Sequence, residues 1–303
     1  MAGASVNVPP SLELLQPADG PLRRALRSFN RWPIMQVAVI ALLVICALFA
    51  DIIAPYDPID ANLKDRREPP IWSSEGNGKY ILGADLQGRD LLSRIIHGTR
   101  VSLSIAGISI GLGMLVGTGY GLISGYVGGW IDEVLMRIVD VFLAFPLIMA
   151  ALFLLVLFGS GYGTVIGVLV LFSWVAFARQ VRAETLALKR SDYVALAEVA
   201  GASTFRVLFK HILPGVVNTV MVIATLNIGG LILTESVLSY LGVGIPPPTP
   251  AWGAMVADGK DYLSISWQIS FFPGMAIFLT VMAFNFLGDW TRDFLDPRLR
   301  QVI

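Results

Sequence analysis

Long apolar runs alternate with charged and turn-forming segments along the whole chain. A run of about 20 apolar residues can cross the hydrocarbon core of a bilayer as a helix that satisfies its own backbone hydrogen bonds. Several such runs predict an all-α polytopic membrane protein with about six transmembrane helices. We place these helices at about residues 32–54, 101–123, 140–158, 164–177, 214–238 and 269–287.

The distribution of basic residues predicts the orientation of the chain. Cytoplasmic segments of membrane proteins are rich in Lys and Arg, and the basic residues here cluster before the first apolar run, between the fourth and fifth, and after the sixth. Both termini are therefore predicted to be cytoplasmic. The predicted divisions are a cytoplasmic tail at 1–31, the first helix at 32–54, an extracytoplasmic loop at 55–100, a five-helix core at 101–290 with a cytoplasmic loop at 178–213, and a cytoplasmic tail at 291–303.

Composition narrows the class of protein further. Of the 303 residues, 55% are hydrophobic and only 15% are charged, which is too little charge for the surface of a soluble domain. The net charge of zero suggests no nucleic-acid partner. Cys46 is the only cysteine, and the sequence shows no Cys/His cluster for a metal.

Two Gly-Lys pairs raise the question of whether the chain hydrolyses ATP. A phosphate-binding loop needs a glycine five residues earlier and a Ser or Thr after the lysine. Gly78–Lys79 and Gly259–Lys260 lack that glycine, and the next residues are Tyr80 and Asp261. We therefore expect no ATP hydrolysis, no bound cofactor and no catalytic residue in this chain, since no nucleophile–base pair stands out either.

The second apolar run repeats glycine at intervals of four residues. Small residues at this spacing form one helix face and let a second helix approach closely. The pattern predicts a tight helix contact inside a moving bundle or, as we prefer, ordinary membrane packing. The stripe consists of Gly113, Gly117, Gly121 and Gly125, with Gly107 and Gly111 on a neighbouring stripe.

An ionisable side chain inside the membrane costs free energy unless it pairs with another charged or polar group. Arg137 lies four residues after Glu133 and three before Asp140, so these side chains are neighbours on a helix and predict an internal ion pair. Glu235 is more isolated, near the outer end of the fifth run. It could face a polar cavity, touch substrate or cap a neighbouring helix, and a structural hydrogen bond is the interpretation that we prefer.

The basic segment between the fourth and fifth runs predicts two short helices joined at a glycine. Ser191 or Asp192 can cap a helix from Tyr193 that ends at Gly201 in a left-handed conformation. Ser203 can cap a second helix over residues 204–211, which Pro214 would end. Such an elbow could dock a protein or lie on lipid as an interfacial helix, and the physical argument leaves both open.

This segment resembles the cytoplasmic docking loop, or EAA motif, of permease subunits of binding-protein-dependent ABC importers. Gly201 and Leu213–Pro214 match the family pattern, whereas Ala195 replaces the usual glutamate and Leu196 follows it. Glu198 lies three positions after that site. The resemblance implies an ATPase-coupling role for Asp192, Tyr193, Ala195, Ala197, Glu198, Gly201, Ala202, Ser203, Arg206, His211 and Pro214.

A second motif resembles the C-type permease of dipeptide and oligopeptide importers. Residues 82–103 read LGADLQGRDLLSRIIHGTRVSL, and segments with the same likeness include APYDP, GGWIDEVLMRIVDVFLAFP and SYLGVGIPPPTPAWGAM. The matching outer-loop residues either fold the loop over the channel mouth, meet a binding protein, or form a plain salt-bridge network. They are Asp85, Gly88, Arg89, Asp90, Arg94 and Arg100.

The resemblance implies a type I ABC importer permease fold in a bacterial or archaeal inner membrane. The chain would form half of a channel for di- or oligopeptides, or for glutathione or nickel. Its implied partners are a B-type permease, two cytoplasmic ATPases that hold ATP and Mg, and an extracytoplasmic solute-binding protein. The implied mechanism is alternating access.

Two other classes of membrane protein are possible. An ion-coupled secondary transporter would have interrupted helices, internal repeats and ion sites at the midplane. Asp140 and Glu235 alone are too few ionisable residues to indicate such sites. An intramembrane hydrolase needs paired catalytic groups at one depth. Neither class fits the sequence as well as a permease.

Overall fold

The structure is a computed structural model that describes residues 33–74, 76 and 78–295. The chain divides into two compact units, 1–34 and 35–303, and all contacts given below lie within the second. The predicted N-terminal tail, 1–31, and residues 296–303 of the predicted C-terminal tail lie outside the described residues.

Regular structure in the described residues is helical, apart from one antiparallel bridge between Ala84 and Asp90. Two 3-10 turns cover Leu63–Asp65 and Lys260–Tyr262, and a π-helical segment covers Val207–Ile212. The α-helices are α1 Ile34–Leu48, α2 Ala50–Ile53, α3 Leu91–Val127, α4 Gly129–Ala144, α5 Leu147–Phe158, α6 Tyr162–Leu188, α7 Asp192–Val199, α8 Thr204–Arg206, α9 Leu213–Tyr240, α10 Trp252–Gly259 and α11 Gln268–Leu295.

Four helical stretches in the described part of the chain are long and apolar enough to cross a membrane: α3, α6, Thr204–Tyr240 and α11. The third helix, predicted at about residues 140–158, is instead two helices, because α4 and α5 meet at a bend of 84°. The break lies at Phe145–Pro146, where proline lacks an N–H and disfavours the helical conformation of the residue before it. The bent pair would make a fifth span, and α1 is apolar but shorter.

The glycine stripe of α3 packs directly against α6. A methyl carbon added at Gly117 would lie 2.3 Å from the carbonyl oxygen of Trp174, and one at Gly121 would lie 2.6 Å from that of Ala178. Gly113 and Gly125 are equally close to α6, which confirms the predicted tight helix contact. A methyl carbon at Gly107 or Gly111 would meet no atom within 4 Å, so the neighbouring stripe lies outside this contact.

Several helices extend beyond their apolar runs. The helix α3 begins at Leu91 rather than near 101, because Asp90 caps it by accepting a 2.8 Å hydrogen bond from the backbone N–H of Ser93. The helix α6 continues to Leu188, so the first part of the predicted cytoplasmic loop 178–213 is helical. Hydropathy detects only the lipid-facing length of a helix, and these ends are polar.

The helix α10 was not predicted, since it lies within a proline-rich loop. Trp252 at its start is fully buried, and its ring Nε1–H donates a 3.0 Å hydrogen bond to the carbonyl oxygen of Ile95. Gly253 lets α10 touch α9, because a methyl carbon there would lie 2.0 Å from the carbonyl oxygen of Ser236. This end of the bundle, formed by residues 55–90, α10 and the starts of α3 and α11, is called the loop end. The opposite end, formed by residues 189–203 and the neighbouring helix ends, is the elbow end.

Candidate functional site

The elbow is built as its residue types predict. Gly201 adopts φ = +80°, and the N–H groups of Gly201 and Ala202 donate to the carbonyl oxygens of Glu198 and Ala197, both at 3.0 Å. These two bonds form a Schellman cap that ends α7. Ser203 then caps α8, because its Oγ accepts a 3.4 Å hydrogen bond from the N–H of Arg206. The predicted helix–Gly–helix geometry is confirmed.

The prediction that Pro214 ends the second helix is wrong. The helix runs on through the π-helical segment Val207–Ile212 into α9, and Pro214 lies in the first turn of α9. A π turn widens the backbone locally, and here the chain stays helical past Pro214 although proline has no N–H to donate to the preceding turn. The second arm of the elbow is therefore continuous with a membrane-spanning helix.

Large apolar side chains of the elbow point away from the bundle. Leu196 is 68% exposed, Val199 is 86% exposed and Phe205 is 69% exposed. The rings of Phe205 and Phe209 lie 4.3 Å apart, and Phe209 is exposed as well. Val194, Val207 and Ile212 are fully buried and hold the elbow on the bundle. We call Leu196, Val199, Phe205 and Phe209 the apolar patch.

Polar contacts attach the elbow to the end of α3. The hydroxyl of Tyr126 donates a 3.0 Å hydrogen bond to Glu198, and Lys189 donates a 2.6 Å bond to the carbonyl oxygen of Tyr126. The ammonium of Lys189 also lies 5.0 Å from the centre of the Tyr126 ring. Glu198 is thus used within the chain, while Ala195, one turn earlier, is exposed. Sequence reasoning missed Tyr126 altogether.

The predicted ion pair within α4 is wrong. No ion pair among the described residues joins Arg137 to Glu133 or Asp140. Asp140 instead accepts a 2.7 Å bond from Arg179. Asp132 accepts two bonds of 2.6 Å from Arg182. Both bridges join α4 to α6, because the rotation of α4 turns these carboxylates toward the neighbouring helix.

The other elbow residues that the resemblance singled out lie on or beside these two helices. Tyr193 reaches across the elbow, and its hydroxyl lies 3.5 Å from the carbonyl oxygen of His211. Asp192 is in the first turn of α7, where a carboxylate is favoured by the helix dipole. Positions at the surface or partly exposed are Asp192, Ala197, Ala202, Ser203, Arg206 and His211.

At the loop end the outer-loop motif forms a buried charge network. Asp85 accepts a 2.6 Å bond from Nε of Arg89 and lies 3.4 Å from Nε of Arg94, and the three residues are at most 6% exposed. Asp85 also accepts hydrogen bonds from the backbone N–H groups of Gln87 and Arg89. This geometry is that of the intra-loop salt-bridge network, one of the alternatives that the sequence left open.

Two further motif residues hold the loop in place. Gly88 adopts φ = +76°, and a methyl carbon there would lie 1.8 Å from the carbonyl oxygen of Asn62. Arg100 donates a 2.8 Å bond to the carbonyl oxygen of Ala47 and a 3.0 Å bond to Asp51, which ties α3 to the end of α1 and to α2. The motif thus binds the loop to the helices on both sides of it.

Glu235 lies between α9 and α3 and is fully buried. It accepts a 2.7 Å hydrogen bond from Ser239 and a 3.4 Å bond from Ser102. These contacts fit the structural hydrogen bond that was the preferred interpretation, and Glu235 lines none of the cavities described here.

Two cavities lie along α9. The first, of about 400 Å³, opens near the elbow end between α6, α9 and α11. Its polar lining consists of Gln180, Glu184, Asn218, Thr219 and Arg292. The second, of about 190 Å³, lies further along α9, where its polar lining is Ser173, Asn227 and Thr234. Adjacent faces of α9 therefore line the two cavities.

A bundle of long apolar helices with cavities along one of them and an exposed elbow at one end defines a membrane transport component. The family described as "Binding-protein-dependent transport system inner membrane component" matches residues 117–301. The domain described as "N-terminal TM domain of oligopeptide transport permease C" matches residues 20–70. The chain belongs to this family of inner-membrane components, and it is a permease subunit of an ABC importer.

Named relatives cover almost the whole chain. It is 42% identical over 283 residues to the glutathione transport system permease protein GsiD of Pectobacterium atrosepticum, covering 92% of each. It is 37% identical to the di/tripeptide transport system permease protein DppC of Pseudomonas aeruginosa, covering 93% of this chain and 94% of DppC. A solved structure of the inward-facing MetNI methionine ABC transporter has the same fold, with a TM-score of 0.55 at 16% identity, covering 67% of this chain and 96% of that one.

Proposed function

We propose that the chain forms half of a channel that imports di- or oligopeptides, and that ATPase subunits drive it through the elbow. The observation that carries this proposal is the apolar patch at the elbow end. An exposed cluster of large apolar side chains on an anchored segment is typical of a protein-docking surface. Lys189, Arg190, Arg206 and Lys210 lie in the same segment and would suit an acidic rim on a partner.

The elbow is built to transmit force as well as to bind. Its second arm continues without interruption into α9, which lines both cavities. A partner that pushes on the apolar patch would therefore move the helix that borders the solute path. This continuity supports alternating access, in which closure of the ATPase pair opens the bundle outward.

The partners follow from what this chain contains and what it lacks in sequence. Neither Gly-Lys pair belongs to a phosphate-binding loop, so ATP and Mg would be held by two cytoplasmic ATPases and this chain would be no enzyme. A B-type permease would complete the channel. The elbow end and both termini would be cytoplasmic, and the loop end would face an extracytoplasmic solute-binding protein.

The cavity linings favour a peptide as solute. Asn218, Thr219, Asn227 and Thr234 offer uncharged hydrogen-bonding groups along α9. Such groups suit the backbone amides that all peptides share and discriminate little among side chains. The names of the relatives, which include a glutathione permease and a di/tripeptide permease, support the same solute class. Glutathione and nickel remain the alternatives.

The test of docking is a charge placed in the apolar patch. Val199→Asp changes a side chain that is 86% exposed and makes no contact needed for folding. We expect the tagged chain to lose its co-purifying ATPase and its peptide uptake in proteoliposomes, while its level in the membrane stays unchanged. Ile59→Asp, at an exposed apolar position of the loop end, is the matched control.

Two results would overturn the proposal. If Val199→Asp kept ATPase and transport but weakened the attachment of the elbow to lipid, the segment would be an interfacial helix instead. If the wild-type complex accumulated nickel but neither dipeptides nor glutathione, the solute class would be wrong while the docking role stood.

A further inference from the structure

We infer that the loop end carries a binding site for the phosphate headgroup of a phospholipid. The site is a cavity of about 470 Å³ between the outer loop and the start of α11. It is separate from the elbow, so it does not rest on the proposed coupling role. Its lining combines cationic, polar and aromatic side chains, among them Arg66, Arg67, Trp72, Ser266, Trp267 and Gln268.

The polar side of the cavity carries cationic and hydrogen-bonding groups that suit an anion. Arg66 and Arg67 form no ion pair within the described residues. Gln268 and Ser266 are each only 3% exposed, yet the part of the chain that the structure describes supplies no hydrogen-bond partner to either side chain. Gln268 also begins α11, where the helix dipole favours negative charge. The polar atoms of Gln268 and Ser266 are not among the fully buried ones that lack partners, so these atoms are accessible from the cavity and can bind a ligand there.

Arg67 is held in place at a conformational cost. Its φ is +59°, in the left-handed region that residues other than glycine seldom adopt. Its backbone N–H donates a 2.9 Å hydrogen bond to the carbonyl oxygen of Asp85, and its guanidinium lies 5.7 Å from the centre of the Tyr262 ring. This backbone bond holds the main chain of Arg67 in position, and the Tyr262 ring lies beside its guanidinium. Local strain that the surroundings enforce is a reason to suspect function.

The apolar half of the site favours a lipid over a soluble anion. Trp72 and Trp267 are exposed and form one cluster with Phe271 and Phe272, in which Trp267 lies 5.3 and 5.6 Å from the two phenylalanine rings. Tryptophan prefers the headgroup level of a bilayer, and α11 enters its membrane-spanning stretch at this point.

A path for an acyl chain leads away from the cavity. Phe271, Met275 and Phe278 are exposed and follow one another at intervals of four and three residues, so they form a stripe down one face of α11. A polar pocket that opens onto an apolar stripe of a membrane-spanning helix matches a phospholipid, whose charged phosphate is joined to acyl chains. An acidic protein segment would complement the charge of the two arginines, but it has no acyl chain to pack along the apolar stripe.

The test uses the full-length chain, purified in detergent, stripped of lipid and titrated with phosphatidylglycerol under native mass spectrometry. We expect one tight lipid, and replacing both arginines by Arg66→Gln and Arg67→Gln should weaken it about tenfold or more, since each charge-assisted bond is lost. Gln268→Leu should weaken it less, and Lys64→Gln, which removes a charge from the same loop outside the cavity, should leave it unchanged. A photoactivatable phosphatidylglycerol should crosslink to peptides that contain Trp267, Phe271 or Met275.

Four outcomes would overturn the inference. The double arginine variant could bind phosphatidylglycerol as the wild type does. Millimolar inorganic phosphate could displace the lipid as effectively as more lipid, which would indicate a free-anion site. The variant could keep its lipid but lose association with the extracytoplasmic binding protein, which would make an acidic protein surface the true occupant. Crosslinks confined to other helices would argue against the site even if the variants failed to fold.

Discussion

The two ends of the helical bundle differ in how they treat charged and large apolar side chains: the loop end buries a charge network, and the elbow end exposes the apolar patch. At the loop end the carboxylate of Asp85 is buried between Arg89 and Arg94, and Trp252 is fully enclosed. At the elbow end Glu198 and Lys189 make exposed hydrogen bonds with Tyr126, and the apolar patch has no covering among the described residues.

The difference indicates where the chain is complete and where it is not. Charges buried in one network belong to a surface that folds by itself, because unpaired buried charge would be strongly destabilising. Large exposed apolar side chains are typical of a surface that a partner covers. The loop end therefore folds around its own charges, and the elbow end is, on the proposed function, one half of an interface. The predictions below test this contrast and run from the largest expected loss of folding stability to the smallest.

The strongest test removes one charge from the loop-end network. Asp85→Asn leaves Arg89 and Arg94 buried without their common partner, which is expected to destabilise the chain by about 3–5 kcal/mol. The measurement is the unfolding temperature of the purified chain and its level in the membrane. Asp60→Asn removes an exposed carboxylate from the same loop and should change little.

The middle of the bundle should respond to added volume only along the contact with α6. Gly117→Ala places a methyl group 2.3 Å from the carbonyl oxygen of Trp174 and should destabilise the bundle by about 1–3 kcal/mol. Gly107→Ala meets no atom within 4 Å and should be neutral or slightly stabilising, because alanine is the better helix former. Equal unfolding temperatures for the two variants would contradict the packing described here.

The elbow should lose function before it loses structure. Gly201→Val forces a β-branched residue into a left-handed conformation, at a local cost of about 1–2 kcal/mol, although its surroundings are open. We expect transport to be abolished with membrane insertion intact, as measured by peptide uptake and by the membrane level of the chain. Full transport by this variant would count strongly against the role of the elbow.

A milder change should loosen the elbow without reshaping it. Tyr126→Phe removes the hydrogen bond to Glu198 and should cost about 0.5–1.5 kcal/mol locally. Hydrogen exchange should rise in residues 192–203 and stay constant in α3. The control is Tyr162→Phe, at an exposed position of α6. If this variant also raised hydrogen exchange in residues 192–203, the effect would be a general loosening of the fold.

The smallest effect is a pH dependence of the outer loop. The hydrogen bond from Lys79, at 2.5 Å, lowers the pKa of Asp65 below its usual value. A carboxyl whose pKa is lower in the folded state stabilises the fold above its unfolded pKa, near ~3.9, and this contribution is lost as the pH falls through the folded pKa. Asp65→Asn should flatten the dependence of the unfolding temperature on pH in that acidic range, and an unchanged profile would contradict the contact.

Local rules predicted the elbow well because its geometry depends on neighbours in sequence. The left-handed Gly201 and the cap at Ser203 follow from residue types within a few positions. The end of its second helix was predicted wrongly, since Pro214 was taken as a stop signal and the π turn before it could not be foreseen. The bend at Pro146 was missed for a related reason: hydropathy counts apolar residues and is insensitive to a break between two apolar halves.

The sequence by itself determined that the chain is a helical membrane protein, that α3 packs closely through its glycines, and that one loop bends at Gly201. These properties depend on hydrophobicity, side-chain size and backbone conformation, which each residue carries with it. Only the tertiary structure decided that Asp140 pairs with Arg179, that Tyr126 holds Glu198, and that Arg66 and Gln268 line one cavity. Those contacts depend on how each helix is rotated about its axis and which helix lies beside it, and distant parts of the chain set both through packing.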